Sequence, residues 1–186
     1  MSYLRIISID KPKGWTSFDV VRFVKRQFQE KKVGHLGTLD PMATGVLPVF
    51  LGQATRLIPL FNNVDKTYRA ICKFGESTDT YDAEGTVTQT LDPSFLNQQE
   101  VTKAVYSFLG QQEQQTPAFS AAKVNGVPSY KLARKGLKVP VKIRPVTFHE
   151  LEVESVELPF LQFRVHCSKG TYIRTLVNDL GLLLKV

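Results

Sequence analysis

The segment 34–45 reads GHLGTLDPMATG, and its chemistry centres on one carboxylate, Asp40. Glycines at 34 and 37 bracket His35, and Pro41 biases the residue before it out of helical geometry. Asp40 is therefore expected to project from a constrained, extended turn as a reactive carboxylate. The same pattern fits an aspartate that only caps a turn or a following helix, which is the commonest task of Asp before Pro. A second acidic group, Asp79, Asp82 and Glu84, lacks the alternating ligands and glycine of an EF-hand loop and reads as a solvated turn. The three histidines, His35, His149 and His166, show no metal-ligand spacing, so no metal site is expected. Phosphate cradles of the P-loop and GxGxxG types are missing, because the glycines of 34–45 have other offsets and no Lys-Ser/Thr follows them. Without an H-x-E paired to a P-C-x-x-C, a zinc-dependent base deaminase is excluded as well.

The 186 residues carry a formal charge of +7, which points to an anionic partner without choosing among RNA, DNA and a membrane surface. From Gln114 to His149 there are seven Lys and Arg, Lys123 and Lys131 among them, and not one Asp or Glu. Such a run repels itself unless an anion lies alongside, although an exposed soluble face explains it too. Phe119 and Tyr130 are interleaved with the cations, and aromatic faces that can stack on unpaired bases tilt the reading toward RNA. Gly126, Pro128 and Gly136 break the interval into turns, so it reads as an arm of about 114–149 rather than as core.

These groups need a scaffold, and 42% apolar residues can bury one core, with a single domain as the default and two small ones admissible. Leu4, Ile6 and Ile9 read as a strand running into the turn at Asp10, Pro12 and Gly14. A helix capped by Thr16 or Ser17 should follow, with Val20, Val21, Phe23, Val24 and Phe28 at three- and four-residue intervals. Lys31 and Lys32 open a loop. Strands are expected at 46–51 and 67–74, a helix over 54–61 ended by Asn62 and Asn63, turns over 78–85, and a helix over 100–109. Residues 151–165 alternate like a strand, and 172–184 form a last helix with Ile173, Leu176, Val177, Leu180 and Leu184 on one side. Strands and helices mix without a strict βαβ rhythm, which favours an α+β fold with a mixed, largely antiparallel sheet flanked by helices. The N-terminus lacks the apolar run of a secretory signal, no apolar run approaches the roughly 20 residues of a membrane span, and Cys72 and Cys167 form no CxxC pair, so a reducing cytoplasm is the expected compartment.

Three stretches, GHLGTLDPMATGVLPVFLGQATRL, KTYRAICKFGESTDTYDAEG and HCSKGTYIRTLVNDLG, together resemble the bacterial tRNA pseudouridine synthase B (TruB) family. Lys11-Pro12 and PAFSAAKVNGVPSYKLARKG in the arm agree with it in order and separation, so the resemblance covers nearly the whole chain. Archaeal and eukaryotic guide-RNA enzymes share the GTLDP core, whereas ATGVLPVFLG, TDTYDAEG and KLARKG look bacterial. The resemblance implies the pseudouridine synthase fold and isomerisation of uridine 55 in the T loop of tRNA, without a cofactor, on a base flipped out of the RNA. By motif position Asp40 is the implied nucleophile, at either the sugar C1′ or the uracil C6. Tyr68 would stack on the flipped uracil and could help remove the C5 proton; its plain alternative is a half-buried strand aromatic. Arg174 matches the arginine that pairs with the aspartate and a substrate phosphate, and Tyr172 would contact the same pocket.

His35 matches the histidine that fills the space left by the extruded base, with a hydrogen-bonded turn histidine as the alternative. Lys11 would support the active-site loop, Asp82 would shape the pocket, and Lys123 and Tyr130 of the arm would meet the RNA. The T arm of tRNA is the expected partner, with no membrane, no required protein partner and a monomeric state. The family continues beyond the point matching Val186 with an LRR-containing strand, which supplies part of the sheet and an apolar pocket residue, and usually a PUA RNA-binding domain. Residues 1–186 are thus expected to be a C-terminally incomplete catalytic domain. A truncated tRNA-binding or folding module without catalysis is the competing expectation, separable by tRNA binding that yields no pseudouridine.

Overall fold

A computed structural model describes residues 4–61 and 63–186. They fall into two compact units, Met1–Val64 and Asp65–Val186. Every strand ladder among the described residues is antiparallel. No helix among them is long and apolar enough to cross a membrane.

In the first unit, β1 (Arg5–Lys11), β3 (Gly45–Leu51) and β2 (Val33–His35) form a sheet in the order β1-β3-β2. Helix α1 (Ser17–Gln27) starts as its sequence predicts: the Thr16 hydroxyl accepts from the Asp19 N–H, and the Asp19 carboxylate accepts from the Thr16 N–H. Val20 and Val24 of α1 pack on Leu47, Val49 and Leu51 of β3, joined by Ile7, Ile9, Val33 and Leu39. Full burial of each such aliphatic side chain stabilises by about 1.5–3 kcal/mol, so this face fixes the register of β3. Its other face is covered too, since Phe50 packs with Leu36 and Ala54. The expected helix over 54–61 is a 3₁₀ segment, Gly52–Phe61, with Pro59 inside it. A proline has no N–H for an α-helical bond and its ring crowds the preceding turn, which keeps the segment from becoming an α-helix. The Asn62 expected to end it lies outside the described residues, as do Met1, Ser2 and Tyr3. Strand β2 was not expected, since Lys31, Lys32 and Gly34 read as loop.

In the second unit the sheet order is β4-β11-β10-β7, from β4 (Lys66–Lys73), β7 (Gly110–Gln115), β10 (Ile143–Glu157) and β11 (Phe160–Cys167). The alternation read as one strand over 151–165 is a hairpin, because the chain reverses at Leu158-Pro159 and Glu157 pairs with Phe160. Core-facing Val146, Phe148, Leu161, Phe163 and Val165 meet Val101 and Val105 of α2 (Gln98–Tyr106) and Leu176 and Leu180 of α4 (Ile173–Leu184). A hairpin of β5 (Glu76–Thr78) and β6 (Val87–Thr90) carries the turn-rich TDTYDAEG segment.

The basic interval is narrower as an arm than its composition suggested. Gln115 pairs with Ile143 and Gly110 with Phe148, and Gln114, Val146 and Phe148 are buried, so both ends of the interval are sheet. Between them β8 (Lys123–Val124) and β9 (Val127–Pro128) make a tight hairpin about Asn125-Gly126, both at positive φ, followed by the short helix α3 (Ser129–Ala133).

Candidate functional site

The first unit holds Asp40, Lys11 and His35. Lys11, the last residue of β1, is completely buried, and its ammonium donates to the carbonyls of Pro12 at 3.0 Å, Trp15 at 2.6 Å and Pro41 at 3.2 Å. The Pro41 carbonyl also accepts from the Gly14 N–H at 2.8 Å. On the other side of Asp40, Leu39 packs into the α1–β3 core, its N–H donates to the Ser17 hydroxyl at 2.9 Å, and that hydroxyl donates to the Leu39 carbonyl at 3.1 Å. Asp40 is thus a half-buried carboxylate whose two neighbouring residues are fastened by a buried cation and a buried serine. Its carbonyl accepts from the Ala43 N–H at 3.0 Å, and the chain runs through a turn into β3, so no helix follows for Asp40 to cap. Gly37 and Gly45, at φ of 75° and 115°, supply the left-handed backbone that bends the loop at its ends.

His35 pairs with Val49 at the end of β2, and its Nδ1–H donates to the Gly37 carbonyl. A carbonyl can only accept, so this bond fixes the tautomer. The hydrogen-bonded turn histidine, the alternative reading of the sequence, is therefore what the structure displays, and it leaves the ring half-buried in the loop.

The second unit holds the remaining candidates. Tyr68 lies on the core-facing side of β4 opposite Val165, half-buried against the core. Arg174 is the second residue of α4, which packs on β4 and β7. Its guanidinium donates to the Thr80 carbonyl at 2.8 Å and the Phe119 carbonyl at 3.0 Å, and it pairs with the Asp82 carboxylate at 3.4 Å. Both side chains of that pair are nearly nine-tenths buried. The other Asp82 oxygen accepts from the Thr80 hydroxyl at 2.7 Å and the Glu84 N–H at 3.1 Å, which holds the carboxylate in the turn. The planar fork of an arginine suits this multiple attachment, and a lysine could not reproduce it.

Tyr172 precedes α4, and its main chain is gripped in both directions by the buried side chain of Gln114: the Tyr172 N–H donates at 2.8 Å and its carbonyl accepts at 3.0 Å. Sequence reasoning missed both Ser17 and Gln114 as supports of the site. A buried amide inside GQQEQQ carries no signal that separates it from its exposed neighbours, and Ser17 reads from the sequence only as a helix cap.

In the arm, Arg134 lies 5.5 Å from the Tyr130 ring centre, within cation–π range. The two residues line a shallow groove of about 520 Å³ with Lys131, Lys135, Val127, Leu132 and Leu137. Lys123 is exposed on β8, and its carbonyl accepts from the Lys142 ammonium at 2.8 Å.

The chain as a whole resembles known proteins. Residues 25–173 match the family model described as TruB family pseudouridylate synthase, N-terminal domain. The chain is 48% identical over 179 residues to tRNA pseudouridine synthase B of Syntrophotalea carbinolica, which covers 96% of this chain and 58% of that protein. The Haemophilus influenzae protein of the same name is also 48% identical over 179 residues, covering 96% and 57%. Among solved structures, a Cbf5–Nop10–Gar1 complex superposes with a TM-score of 0.74 at 30% identity, over 97% of this chain and 44% of that one. An H/ACA ribonucleoprotein bound to a substrate RNA containing 2′-deoxyuridine gives 0.69 at 28% identity, over 97% and 43%. The chain therefore belongs to the TruB family of pseudouridylate synthases and has the pseudouridine synthase fold. It spans about three-fifths of the length of the curated relatives it matches.

Proposed function

We propose that the chain is the catalytic part of a tRNA pseudouridine synthase that isomerises uridine 55 of the T loop, with Asp40 as nucleophile on a base turned out of the RNA. The observation that carries this reading is the fastening of Asp40. A carboxylate held between Leu39, bound to Ser17, and Pro41, bound to Lys11 and Gly14, needs little reorganisation to reach a reacting carbon. The names of the relatives support tRNA as the substrate.

The reaction balances without a cofactor. The N1–C1′ bond breaks, the sugar rejoins at C5, C5 loses a proton and N1 gains one. Attack of Asp40 on C1′ frees the uracil to rotate, while attack on C6 carries the uracil on the carboxylate; in both the ester or adduct then breaks and Asp40 is regenerated. Tyr68 stacks on the uracil, with its hydroxyl available for the C5 proton. Arg174 takes a substrate phosphate while Asp82 sets its orientation, and Tyr172 borders the same subsite. His35 fills the gap in the base stack, which offsets part of the few kcal/mol that extrusion costs. Lys123 and Tyr130 engage the T arm from the basic arm. The protein works in the reducing cytoplasm as a monomer without a protein partner.

The test is tritium release from tRNA labelled at uracil C5. The wild-type chain should release tritium, and Asp40→Asn should abolish release with tRNA binding kept. Turnover by Asp40→Asn would remove the nucleophile assignment. Binding without any release by the wild type would leave a tRNA-docking module in place of an enzyme.

A further inference from the structure

The positive charge is not spread evenly. Residues 1–64 hold nine Lys and Arg against four Asp and Glu, a net +5, and residues 114–149 hold a net +7. The rest of the second unit holds eight basic against thirteen acidic residues, a net −5. The first unit is thus a second positive region, separate in sequence from the arm.

Three of its nine cations share one face of α1. Phe18, Arg22, Lys25 and Arg26 stand at i, i+4, i+7 and i+8, which places them in one stripe about 12 Å long at 1.5 Å per residue. All four are exposed, whereas Ser17, Val20, Val21 and Val24 on the opposite face are buried. Phe18 is 62% exposed at the start of the stripe, with the Arg22 guanidinium 5.6 Å from its ring centre. Trp15, just before the helix, is 39% exposed and meets Phe23 edge-on. The one acid of the helix, Asp19, is taken up by the Thr16 cap and by Arg22, so it leaves Lys25 and Arg26 without a neutralising neighbour on α1. A core has no use for an aromatic exposed beside cations, whereas a nucleic acid can cover both: phosphates take the charges and a base or sugar takes the ring.

We propose that this outer face of α1 is an RNA-docking surface that takes the phosphate backbone of the substrate, with Phe18 stacking on a nucleotide other than the modified one. The choice of RNA as occupant rests on the reading of the chain as a tRNA-modifying enzyme. The first turn of α1 is tied to the Asp40 loop from its buried side, because Ser17 is bonded to Leu39 and the Trp15 carbonyl to Lys11. RNA seated on α1 therefore bears on the element that holds the nucleophile.

The test is tRNA binding by the 186-residue chain across a salt series, comparing the wild type with Arg22→Gln/Lys25→Gln/Arg26→Gln and with Phe18→Ala, and with Lys103→Gln on α2 as a control. The triple variant should lower the slope of log K against log salt by about 2–3, at 0.7–0.9 for each phosphate that is no longer neutralised. Phe18→Ala should weaken binding about fivefold or more at fixed salt, and Lys103→Gln should change neither quantity. Helical circular dichroism equal to wild type shows that the variants are folded. Wild-type slope and affinity in the folded variants would overturn the proposal, as would absence of tRNA binding by the wild type. A dimer that Phe18→Ala dissociates, with tRNA affinity unchanged, would overturn it in favour of a second copy as occupant. Tritium release measured in parallel separates the two readings: release with an unchanged slope defeats the α1 surface alone, and a changed slope without release defeats the catalytic reading alone.

Discussion

Replacing Lys11 by Met removes the ammonium while keeping a side chain of similar length, so the main loss is hydrogen bonding rather than volume. Of the three carbonyls it serves, that of Pro41 keeps the Gly14 N–H at 2.8 Å and that of Pro12 keeps a long bond from the Trp15 N–H at 3.4 Å. The Trp15 carbonyl loses its 2.6 Å donor. One orphaned carbonyl costs about 1–3 kcal/mol and two weakened charge-assisted bonds add about 1 kcal/mol each, while relief from burying an ammonium offsets part of this. A net loss of about 2 kcal/mol follows, out of the 5–15 kcal/mol typical of a folded protein. Trp15 is the only tryptophan, so its fluorescence in urea reports on this turn. At a slope of about 1–2 kcal/mol per molar, the midpoint should fall by about 1–2 M. Tritium release should fall further than the folded fraction does, through kcat rather than KM, because the Pro41 carbonyl loses the ammonium and keeps the Gly14 N–H. A midpoint shift under about 0.3 M would refute the account of Lys11 as the fastener of this loop.

Other outcomes follow from the same geometry. Arg174→Lys cannot serve the Thr80 and Phe119 carbonyls and Asp82 together; losing about 1.5–3 kcal/mol of charge-assisted bonding should slow tritium release about 10–100-fold, and a rate within about twofold of wild type would count against that role. Hydrogen bonds from Thr16, then from Arg22, hold the Asp19 carboxyl down at about 2, from a usual 3.8. A lowered folded value means that the cap steadies α1 above about pH 4 and that this support fades as pH falls toward 2. Asp19→Asn should flatten the acid limb of helical circular dichroism over that window, and an unchanged limb would contradict the assignment.

What could be read from the sequence depended on whether burial leaves a periodic trace. Strands β1 and β4 and helices α1 and α4 each bury one side, and β3 is covered on both; apolar spacing revealed the former and a short continuous apolar run the latter. Strand β6 is exposed at all four positions and β7 reads GQQEQQ, so neither has a hydrophobic pattern to find. The β10–β11 hairpin was hidden differently: alternation runs through the reversal almost unbroken, and only Leu158-Pro159 marked it. In the arm, Asn125-Gly126 was a legible hairpin signal read merely as a break. At the candidate site the loop of Asp40 was visible because Gly and Pro punctuate it. The pairing of Arg174 with Asp82 joins positions 92 residues apart, and the grip of Gln114 on Tyr172 joins positions 58 apart; such pairings exist only once the fold brings them together.

The ladder between Gln115 and Ile143 has a consequence for how such a chain can change. It closes the intervening stretch at its root, with the Thr116 N–H bonded to the Lys142 carbonyl at 2.8 Å, so insertions or deletions beyond that root leave every strand register of the sheet untouched. Shortening a loop of about 27 residues to a tight turn even relieves about 1.7 kcal/mol of closure entropy. Selection can therefore lengthen, shorten or recharge this appendage while the scaffold stays constant, within one constraint. The Phe119 carbonyl belongs to the appendage and the guanidinium that grasps it belongs to α4, so the first few residues past the root are the part that cannot drift freely.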